Sequence, residues 1–542
     1  AWGGVNVDKG SDGSAPHFTV GEGCVFAEKA EVYTEITDQD VVTAPAMTKV
    51  QGFGTTLKGF IYYTTDATKL ECVATIGTDK YCETVADAVA NAVSGDEIKL
   101  LKNITVDNAA VSSSVNTPVI VVPDGVTFNG GNFAITADPE NWIGEGANHV
   151  LGIVGTTGTI KDVTIEGNGK DKAGVIVYGL NSNGTLENVT SKNNGQLGVL
   201  IGGATVVSTN VNTEGNPWGG INVDKSSDGS IPSFTFNSGT LAENVEIYTE
   251  ITDQDVITAS GFEKVQGYGE VLKGFIFYTT DKSRLGSING DGVVYETLAD
   301  VVKNTPNASV AMTTDLTEVV TVPVGANLTI DGGDHTLNGY IKCAAAGASN
   351  TALTLKDLTL NGGGSHGYAI TSQNQTDNDQ MECSLTLDNV SITGYTAKAI
   401  YGTNIKVLDI TGGTVSECAT GAMDDPNTKG DYAIDLNLVA VQGTVVNIDG
   451  TVFTGDLGEK AAIKVTQRGG ASDAGASDIP KNVGEASVEK VTIANCDFSG
   501  STTEVDFRIG TDNKTGGDAV NTTGAYAVEL TGNTEMVVQS AY

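Results

Sequence analysis

The sequence predicts an all-β protein built from stacked coils of short parallel strands. Three observations lead to this fold class. Residues 218–285 repeat the N-terminal segment, and residues 248–256 match residues 33–41 letter for letter. Short runs in which apolar and polar residues alternate recur along the chain, and glycine, at 69 of 542 residues, is about twice as frequent as usual. Because long-period repetition usually sets the architecture, we predict a solenoid of modules in series.

The clearest coil rhythm lies between residues 150 and 245. Runs that begin at Gly174, Gly198 and Gly220 are separated by 24 and 22 residues, and each step holds two alternating runs bounded by Asn and Gly. Alternation with period two indicates strands with one buried face. A single coil cannot bury its inward residues, whereas stacked coils pair their strands in parallel and share a core. We expect Asn and Gly at the corners, where tight turns need left-handed backbone conformations.

The same pattern continues from about residue 305 with longer turns. The alternating runs that contain Ala369, Ala399, Ala433 and Ala462 are 30, 34 and 29 residues apart. Loops that project from a rigid scaffold are common binding sites. We therefore expect any binding residues to lie in this second stack.

Residues 36–80 and 251–294 interrupt the rhythm, and residues 264–281 predict a β-hairpin with alternating aromatic residues. After each interruption, Thr84 or Thr297 is placed to cap a short amphipathic helix. The predicted apolar faces are Val85, Ala88, Val89 and Ala92 in the first helix and Leu298, Val301 and Val302 in the second. A helix at the start of a stack covers the open strand edge of its first coil.

These features divide the chain into five predicted segments. Residues 1–35 form the last coil of a truncated stack, because they match the end of a unit that is complete later in the chain, and residues 36–80 form a β connector. Residues 81–250 form the first complete stack, residues 251–294 a second connector and residues 295–542 the second stack. We expect the chain to be a piece of a longer polypeptide, with any export signal or anchor outside it.

The composition is strongly acidic, with 67 Asp and Glu against 30 Lys and Arg and a formal net charge of −37. Such a surface repels nucleic acid and anionic membranes, and it offers oxygen ligands to hard cations such as Ca²⁺. The sequence contains no apolar run long enough to span a membrane. We predict neither nucleic-acid binding nor membrane insertion within this chain.

The seven cysteines do not recur between the two copies of the repeat. A disulfide framework in repeated modules should repeat with them, so we expect stability not to depend on disulfides. Cys72 and Cys82 are the candidates for one local bridge, and buried free thiols are the alternative.

Three motifs carry a family resemblance. Residues 95–106, together with the Val-Pro-Asp-Gly and Val-Pro-Val-Gly runs at residues 121–131 and 322–333, resemble the entry into a right-handed parallel β-helix of the pectate-lyase-like type. They are most similar to versions found in repetitive adhesin-like surface proteins of bacteria and some archaea. The resemblance implies right-handed parallel β-helix solenoids with short capping helices and small β connector domains. Its functional implication is broad, since this fold serves lyases, hydrolases, phage tailspikes and adhesins.

An enzymatic role would rest on His366, Asp424, Asp425 and Arg508. The His-Gly, Asp-Asp and Arg-Ile pairs in which they occur resemble elements of polygalacturonases, and paired carboxylates suit glycosidic hydrolysis. In that family, however, the Asp pair precedes the His, whereas here it follows. A strand start at His366 and a turn at residues 424–426 are the alternative interpretations.

Two other sets of residues are candidate ligand contacts. The duplicated loops that contain Asp8 and Asp12, and Asp224 and Asp228, loosely resemble calcium loops, although a plain Asp-Gly turn also explains them. Trp142 lies in an unrepeated loop, where its ring is a candidate for stacking on a sugar.

Together these features predict an extracellular cell-surface stalk or adhesin that binds a carbohydrate or a host or neighbouring surface protein, or assembles end to end. A polysaccharide lyase or glycoside hydrolase of the same fold is the main alternative. A tailspike-like protein is the third.

Overall fold

The computed structural model describes residues 3–112, 116–343, 350–372, 382–402, 405–421, 430–439, 443–467, 488–509 and 527–540. The chain separates into two compact units. The first comprises Ala1–Val265 and Phe275–Thr280, and the second comprises Gln266–Gly274 and Asp281–Tyr542. In the part of the chain that the structure describes, no helix has the length and apolarity needed to cross a membrane.

The protein is all-β, as predicted, and most of its strand pairs are parallel. Its regular helical segments in the described ranges are short: the α-helices Val85–Asn91 (α1) and Leu298–Asn304 (α2), and the 3₁₀ turns Ala67–Leu70 and Lys282–Arg284.

The first unit begins with short strands of the N-terminal segment and its connector: Val5–Asn6, Phe18–Thr19, Val32–Thr34, Val42–Thr43, Thr48–Phe53, Ile61–Thr64, Ala74–Ile76 and Lys80–Cys82. It continues with strands of three to ten residues: Glu97–Leu100, Ile104–Val106, Pro118–Val121, Val126–Asn129, Ala134–Ala137, His149–Val154, Thr157–Glu166, Ala173–Tyr178, Asn183–Lys192, Leu197–Gly202, Thr205–Glu214, Gly219–Asp224, Ser233–Phe236, Ile247–Thr249, Ile257–Ala259 and Ile276–Thr279. The strand Glu263–Tyr268 has residues in both units.

Two families of parallel strands alternate along the chain in this unit. In one family, Thr157–Glu166 pairs with Asn183–Lys192, which pairs with Thr205–Glu214. In the other, Ala173–Tyr178 pairs with Leu197–Gly202, which pairs with Gly219–Asp224. We call each passage of the chain through the strand families a repeat. Equivalent residues of successive repeats lie side by side, and their inward positions form buried apolar columns such as Val163, Val189 and Val211.

One corner of the repeats is made by left-handed residues, as the sequence predicted. Asp162, Asn188 and Asn210 have φ angles of 52°, 53° and 55°. The side-chain amide of Asn188 donates to Asp162 at 2.8 Å, and that of Asn210 donates to Asn188 at 2.9 Å. Asn tolerates the left-handed region better than most residues, and its amide also links one repeat to the next.

The second unit contains the remaining strands: Ile288–Gly290, Val293–Tyr295, Ser309–Met312, Leu316–Val322, Asn327–Asp331, Thr336–Cys343, Thr351–Lys356, Thr359–Asn361, Tyr368–Ser372, Cys383–Asp388, Ser391–Thr393, Lys398–Gly402, Ile405–Thr411, Thr414–Ser416, Ile434–Val439, Thr444–Asp449, Val452–Gly455, Ile463–Gln467, Val488–Ala494, Asp497–Ser501, Phe507–Ile509, Ala527–Thr531 and Val538–Ser540.

Three parallel strand families recur in this unit. Their members in one repeat are Thr351–Lys356, Thr359–Asn361 and Tyr368–Ser372. Each of these strands pairs in parallel with the equivalent strand of the next repeat. The core between them consists of columns of buried side chains, for example Leu353, Leu385, Leu408, Val446 and Val491.

Both predicted capping helices are present. The Thr84 hydroxyl accepts a hydrogen bond from the backbone N–H of Asp87, whose carboxylate accepts from the Thr84 N–H in return. Thr297 and Asp300 form the same reciprocal pair at α2. This capping box satisfies backbone donors that the first helical turn would otherwise leave without partners. Of the predicted apolar faces, two side chains in each helix are buried: Val85 and Ala88, and Leu298 and Val301.

The connector hairpin is also present. In the first copy, Thr48–Phe53 pairs antiparallel with Ile61–Thr64. The ring of Tyr33 stacks on Tyr62 with centroids 5.9 Å apart, and its counterpart Tyr248 stacks on Phe277 at 6.2 Å. The predicted aromatic packing is therefore the same in both copies.

Candidate binding site

The first acidic residue of each duplicated loop anchors the following connector segment. The Asp8 carboxylate accepts a hydrogen bond from the backbone N–H of Glu35 at 2.7 Å, and Asp224 accepts one from Glu250 at 2.6 Å. Asp224 also accepts from the hydroxyl of Thr249 at 3.1 Å, and burial raises the pKa of this carboxyl. These contacts give both residues a structural role.

The second acidic residue closes the turn of its own loop. Asp12 accepts from the N–H and the hydroxyl of Ser14 at 3.0 and 2.6 Å, and Asp228 accepts from the hydroxyl of Ser226 and the N–H of Ser230. Hydrogen bonds, first from Ser226 and then from Ser230, lower the pKa of Asp228 to about 2. Across the described ranges, no three His, Cys, Asp or Glu side chains gather in a group suited to a metal ion. The structure therefore does not bring the predicted calcium ligands together into such a group.

A buried glutamate also recurs shortly before each connector and bonds to residues within it. Glu31 accepts from the Thr65 hydroxyl at 2.6 Å and the Lys69 ammonium at 2.7 Å, and Glu246 accepts from the Thr280 N–H at 2.6 Å and its hydroxyl at 2.7 Å. Burial alone would raise the pKa of Glu31, but the hydrogen bonds from Lys69 and the threonines outweigh it and lower the pKa to about 2. Its recurrence at the equivalent position of both copies was the signal available in the sequence.

Trp142 is placed as a packing residue. Its side chain is 4% exposed, and the indole N–H donates to the carbonyl of Ala147 at 3.0 Å. This burial leaves little ring face for a sugar. Trp218, in contrast, is 57% exposed.

Of the four candidate catalytic residues, His366 and Arg508 lie in described segments. His366 precedes the strand Tyr368–Ser372, and its ring contacts Tyr340 edge-on with centroids 5.6 Å apart. Asp424 and Asp425 lie outside the described residues. Among the described residues, the catalytic set therefore reduces to His366, which lies just before a strand, and Arg508, which lies in the strand Phe507–Ile509.

Arg508 belongs to a row of polar residues that crosses four neighbouring strands of the second unit. Tyr401 pairs with Asp435, Asp435 with Lys464, and Lys464 with Arg508. Residues in register on parallel strands project from the same face of the sheet. We call these four residues the charged row. The residues that precede them form a buried row of the core: Ile400, Ile434, Ile463 and Phe507.

Two lysines lie beside Asp435 of the charged row. Lys398 forms an ion pair with one carboxylate oxygen of Asp435, and Lys464 Nζ lies 3.9 Å from the other. Asp435 is 2% exposed and Lys464 is 5% exposed. The Asp435 carboxylate therefore lies between the ammonium groups of two lysines.

Tyrosine rings lie against these cations. Lys398 Nζ is 4.6 Å from the ring centroid of Tyr401, and Lys464 Nζ is 4.7 Å from that of Tyr432. Tyr401 in turn stacks on Tyr368 with centroids 5.8 Å apart. Stacked rings beside an ammonium can hold a sugar, because the ring faces contact its C–H groups while the ammonium donates to its oxygens.

Tyr368, Lys398 and Tyr401 are partly exposed, so they are the accessible members of this group. The sequence analysis identified only Arg508. The sequence did contain a signal for the rest of the charged row. An Ala-Ile pair recurs in successive repeats, and the residue that follows it is Tyr401, Asp435 or Lys464.

Neither a protein-family model nor a curated protein sequence matches this chain.

Proposed function

We propose that this chain is part of a repetitive extracellular surface protein whose right-handed parallel β-helices present side chains for binding to a carbohydrate or a neighbouring protein. The alternating strand families support the β-helical interpretation, because each strand pairs in parallel with its equivalent one repeat later. The resemblance of residues 95–106 to such proteins agrees with it.

The observation that carries the proposal is the duplicated connector. Asp8 and Asp224, and Glu31 and Glu246, occupy equivalent places and bond to equivalent groups in the two copies. Modules joined repeatedly by the same connector suit a protein that holds binding surfaces away from its point of attachment.

The binding surface that we assign to this function is formed by Tyr368, Lys398 and Tyr401. Two stacked rings and one ammonium favour a sugar with equatorial hydroxyls or a single acidic group. A long polyanion is a poorer fit, because the net charge of −37 opposes its approach.

A polysaccharide-processing enzyme is the second candidate, and the charged row is the observation that favours it. Asp435 lies between Lys398 and Lys464, with Arg508 in the same row. A carboxylate beside ammonium groups is a combination of acidic and basic side chains that acid–base chemistry uses.

The test is a panel of immobilised glycans and polysaccharides, probed with the purified chain in Ca²⁺ and in a chelator, with assay of retention and of released reducing or unsaturated ends. We expect retention without product, and at least tenfold weaker retention in Tyr401→Ala. Trp218→Ala, which removes an exposed aromatic ring in the first unit, is the matched control and should bind normally.

Product that disappears in Asp435→Asn would replace the adhesin proposal with an enzyme, and so would product that disappears in Asp424→Ala or Asp425→Ala. A trimeric mass in light scattering would favour the tailspike-like alternative. Equal binding by Tyr401→Ala and the unsubstituted chain would remove the binding surface assigned here.

A further inference from the structure

Two buried cysteines lie at one corner of the second unit. In one repeat, a strand ends at Cys343 and the next begins at Thr351. In the following repeat, the equivalent strands end at Ser372 and begin at Cys383. The pairing of Lys342 with Thr371 places Cys343 beside Ser372 of the next repeat, and Thr351 pairs directly with Cys383. The corner therefore has two columns, with Cys343 in one and Cys383 in the other, one repeat apart.

The side chains of the two columns meet across this corner. The next repeat continues the columns with Gly402 and Ile405, since Ser372 pairs with Gly402 and Cys383 with Ile405. Gly402 and Ile405 are only three positions apart in the chain. A methyl group added to Gly402 would lie 2.6 Å from Cγ1 of Ile405, so side chains of the two columns face each other. Residues of adjacent repeats are separated by about 4.8 Å along a sheet, which leaves a thiol in one column within reach of a thiol in the other.

The two thiols are close enough to interact. The interaction of the two side chains raises the pKa of Cys343 and lowers that of Cys383. Cys343, Ser372 and Cys383 are 0%, 0% and 2% exposed. The thiols of Cys418 and Cys496 instead donate to the backbone carbonyls of residues 416 and 494, both at 3.2 Å.

We propose that Cys343 and Cys383 close a disulfide bond between successive repeats when the protein meets a disulfide oxidant such as oxidised glutathione. The Cys383 thiolate attacks one sulfur of the oxidant, releasing one glutathione thiolate and forming a mixed disulfide. The Cys343 sulfur, after losing its proton to water, attacks the Cys383 sulfur and releases the second glutathione. Two protein thiols are oxidised and one glutathione disulfide is reduced to two thiols.

The inference rests on the proposed extracellular location only for its oxidant. Because both sulfurs are buried, the exchange takes place during folding or when the corner opens. Once closed, the bond encloses residues 344–382 in a covalent loop, which restricts the unfolded chain and raises the melting temperature of the second unit.

The experiment is cysteine mapping by mass spectrometry on the full chain. One sample is folded with oxidised glutathione and another with dithiothreitol. Both are denatured, alkylated and digested without reduction. We expect the oxidised sample alone to contain a peptide pair that joins Cys343 to Cys383 and lacks two hydrogens, and to melt roughly 5 °C higher than the reduced sample.

Cys383→Ser should abolish this peptide pair and the shift in melting. The double variant Cys72→Ser and Cys82→Ser, which removes the candidate bridge named from the sequence, should keep both. Full alkylation of Cys343 and Cys383 in the oxidised sample would overturn the proposal. So would a stable glutathione adduct, or a bond from either residue to another cysteine. The mapping uses the unsubstituted chain, so it decides the matter even if the variants fold poorly. Glycan retention measured on both samples tests the proposed function separately.

Discussion

Replacing Glu31 with Gln tests the account of the connector most directly. Glu31 is 2% exposed, and its carboxylate binds the Thr65 hydroxyl, the Thr65 N–H and the Lys69 ammonium. A fall in pKa from 4.5 to about 2 corresponds to at most about 3 kcal/mol of stabilisation at neutral pH. Lys69 is 36% exposed, so solvent screens part of this energy, and we expect Glu31→Gln to cost about 2 kcal/mol.

Hydrogen exchange read by mass spectrometry measures this loss locally. A cost of about 2 kcal/mol predicts roughly thirtyfold faster exchange in peptides that cover residues 61–70. The second copy is an internal control, because Thr279 and Thr280 are bonded to Glu246 and residues 276–280 should exchange as before. Glu22→Gln, at an exposed position, should leave both segments unchanged. If residues 61–70 exchange equally in Glu31→Gln and Glu22→Gln, the buried ion pair does not stabilise the connector.

The same residue sets a pH dependence. The pKa of Glu31 is lower in the folded chain than in the unfolded one, so its contribution is complete above about pH 4.5 and is lost as the pH falls toward 2. Exchange of residues 61–70, corrected for the intrinsic effect of pH, should therefore rise through this window in the unsubstituted chain and much less in Glu31→Gln. Equal slopes would contradict the assigned cause.

Three further predictions concern the repeats. Asn188→Ala should lower the free energy of unfolding by about 1–2 kcal/mol, because Ala is strained at a φ of 53° and both side-chain hydrogen bonds of Asn188 are lost. Asn188→Gly should cost less, and thermal unfolding compares the two variants. Val189→Ala should cost about 2 kcal/mol in urea unfolding as it opens the buried column, whereas Val207→Ala, at a position that is 41% exposed, should cost less than about 0.5 kcal/mol. Asp224→Ala should cost about 1–2 kcal/mol by leaving the Glu250 N–H without its acceptor, equally in Ca²⁺ and in chelator. A loss confined to Ca²⁺-containing buffer would restore the calcium interpretation of that loop.

The features best predicted from the sequence are those that neighbouring residues determine by themselves. Thr84 and Thr297 were predicted as helix caps, and both accept the expected backbone hydrogen bonds. The left-handed corner at Asn188 and Asn210 followed from the demand of tight turns for Asn and Gly. Alternation identified the strands, because a half-buried strand leaves a period-two pattern whatever its partner is.

Features that depend on register could not be predicted in the same way. Asn194, Asn216 and Glu243 form a buried hydrogen-bonded series, with distances of 2.8 and 2.6 Å between successive side chains. In the sequence they resemble ordinary loop residues, since polarity alone does not distinguish a satisfied interior group from a solvated one. The burial of Trp142 was missed for a related reason: its loop occurs once, so no second copy indicated which way the ring packs.

The charged row shows how register and net charge combine in the choice of ligand. The formal charge of −37 acts on a ligand at a distance, but at physiological salt it is screened beyond about 8 Å. At contact the nearest groups decide, and there the Lys398 ammonium lies over the ring of Tyr401. A long polyuronate meets repulsion along most of its length and attraction at one point. In the proposed site, a neutral sugar or one with a single acidic group would avoid most of that repulsion and would still gain contacts at Tyr401 and Lys398.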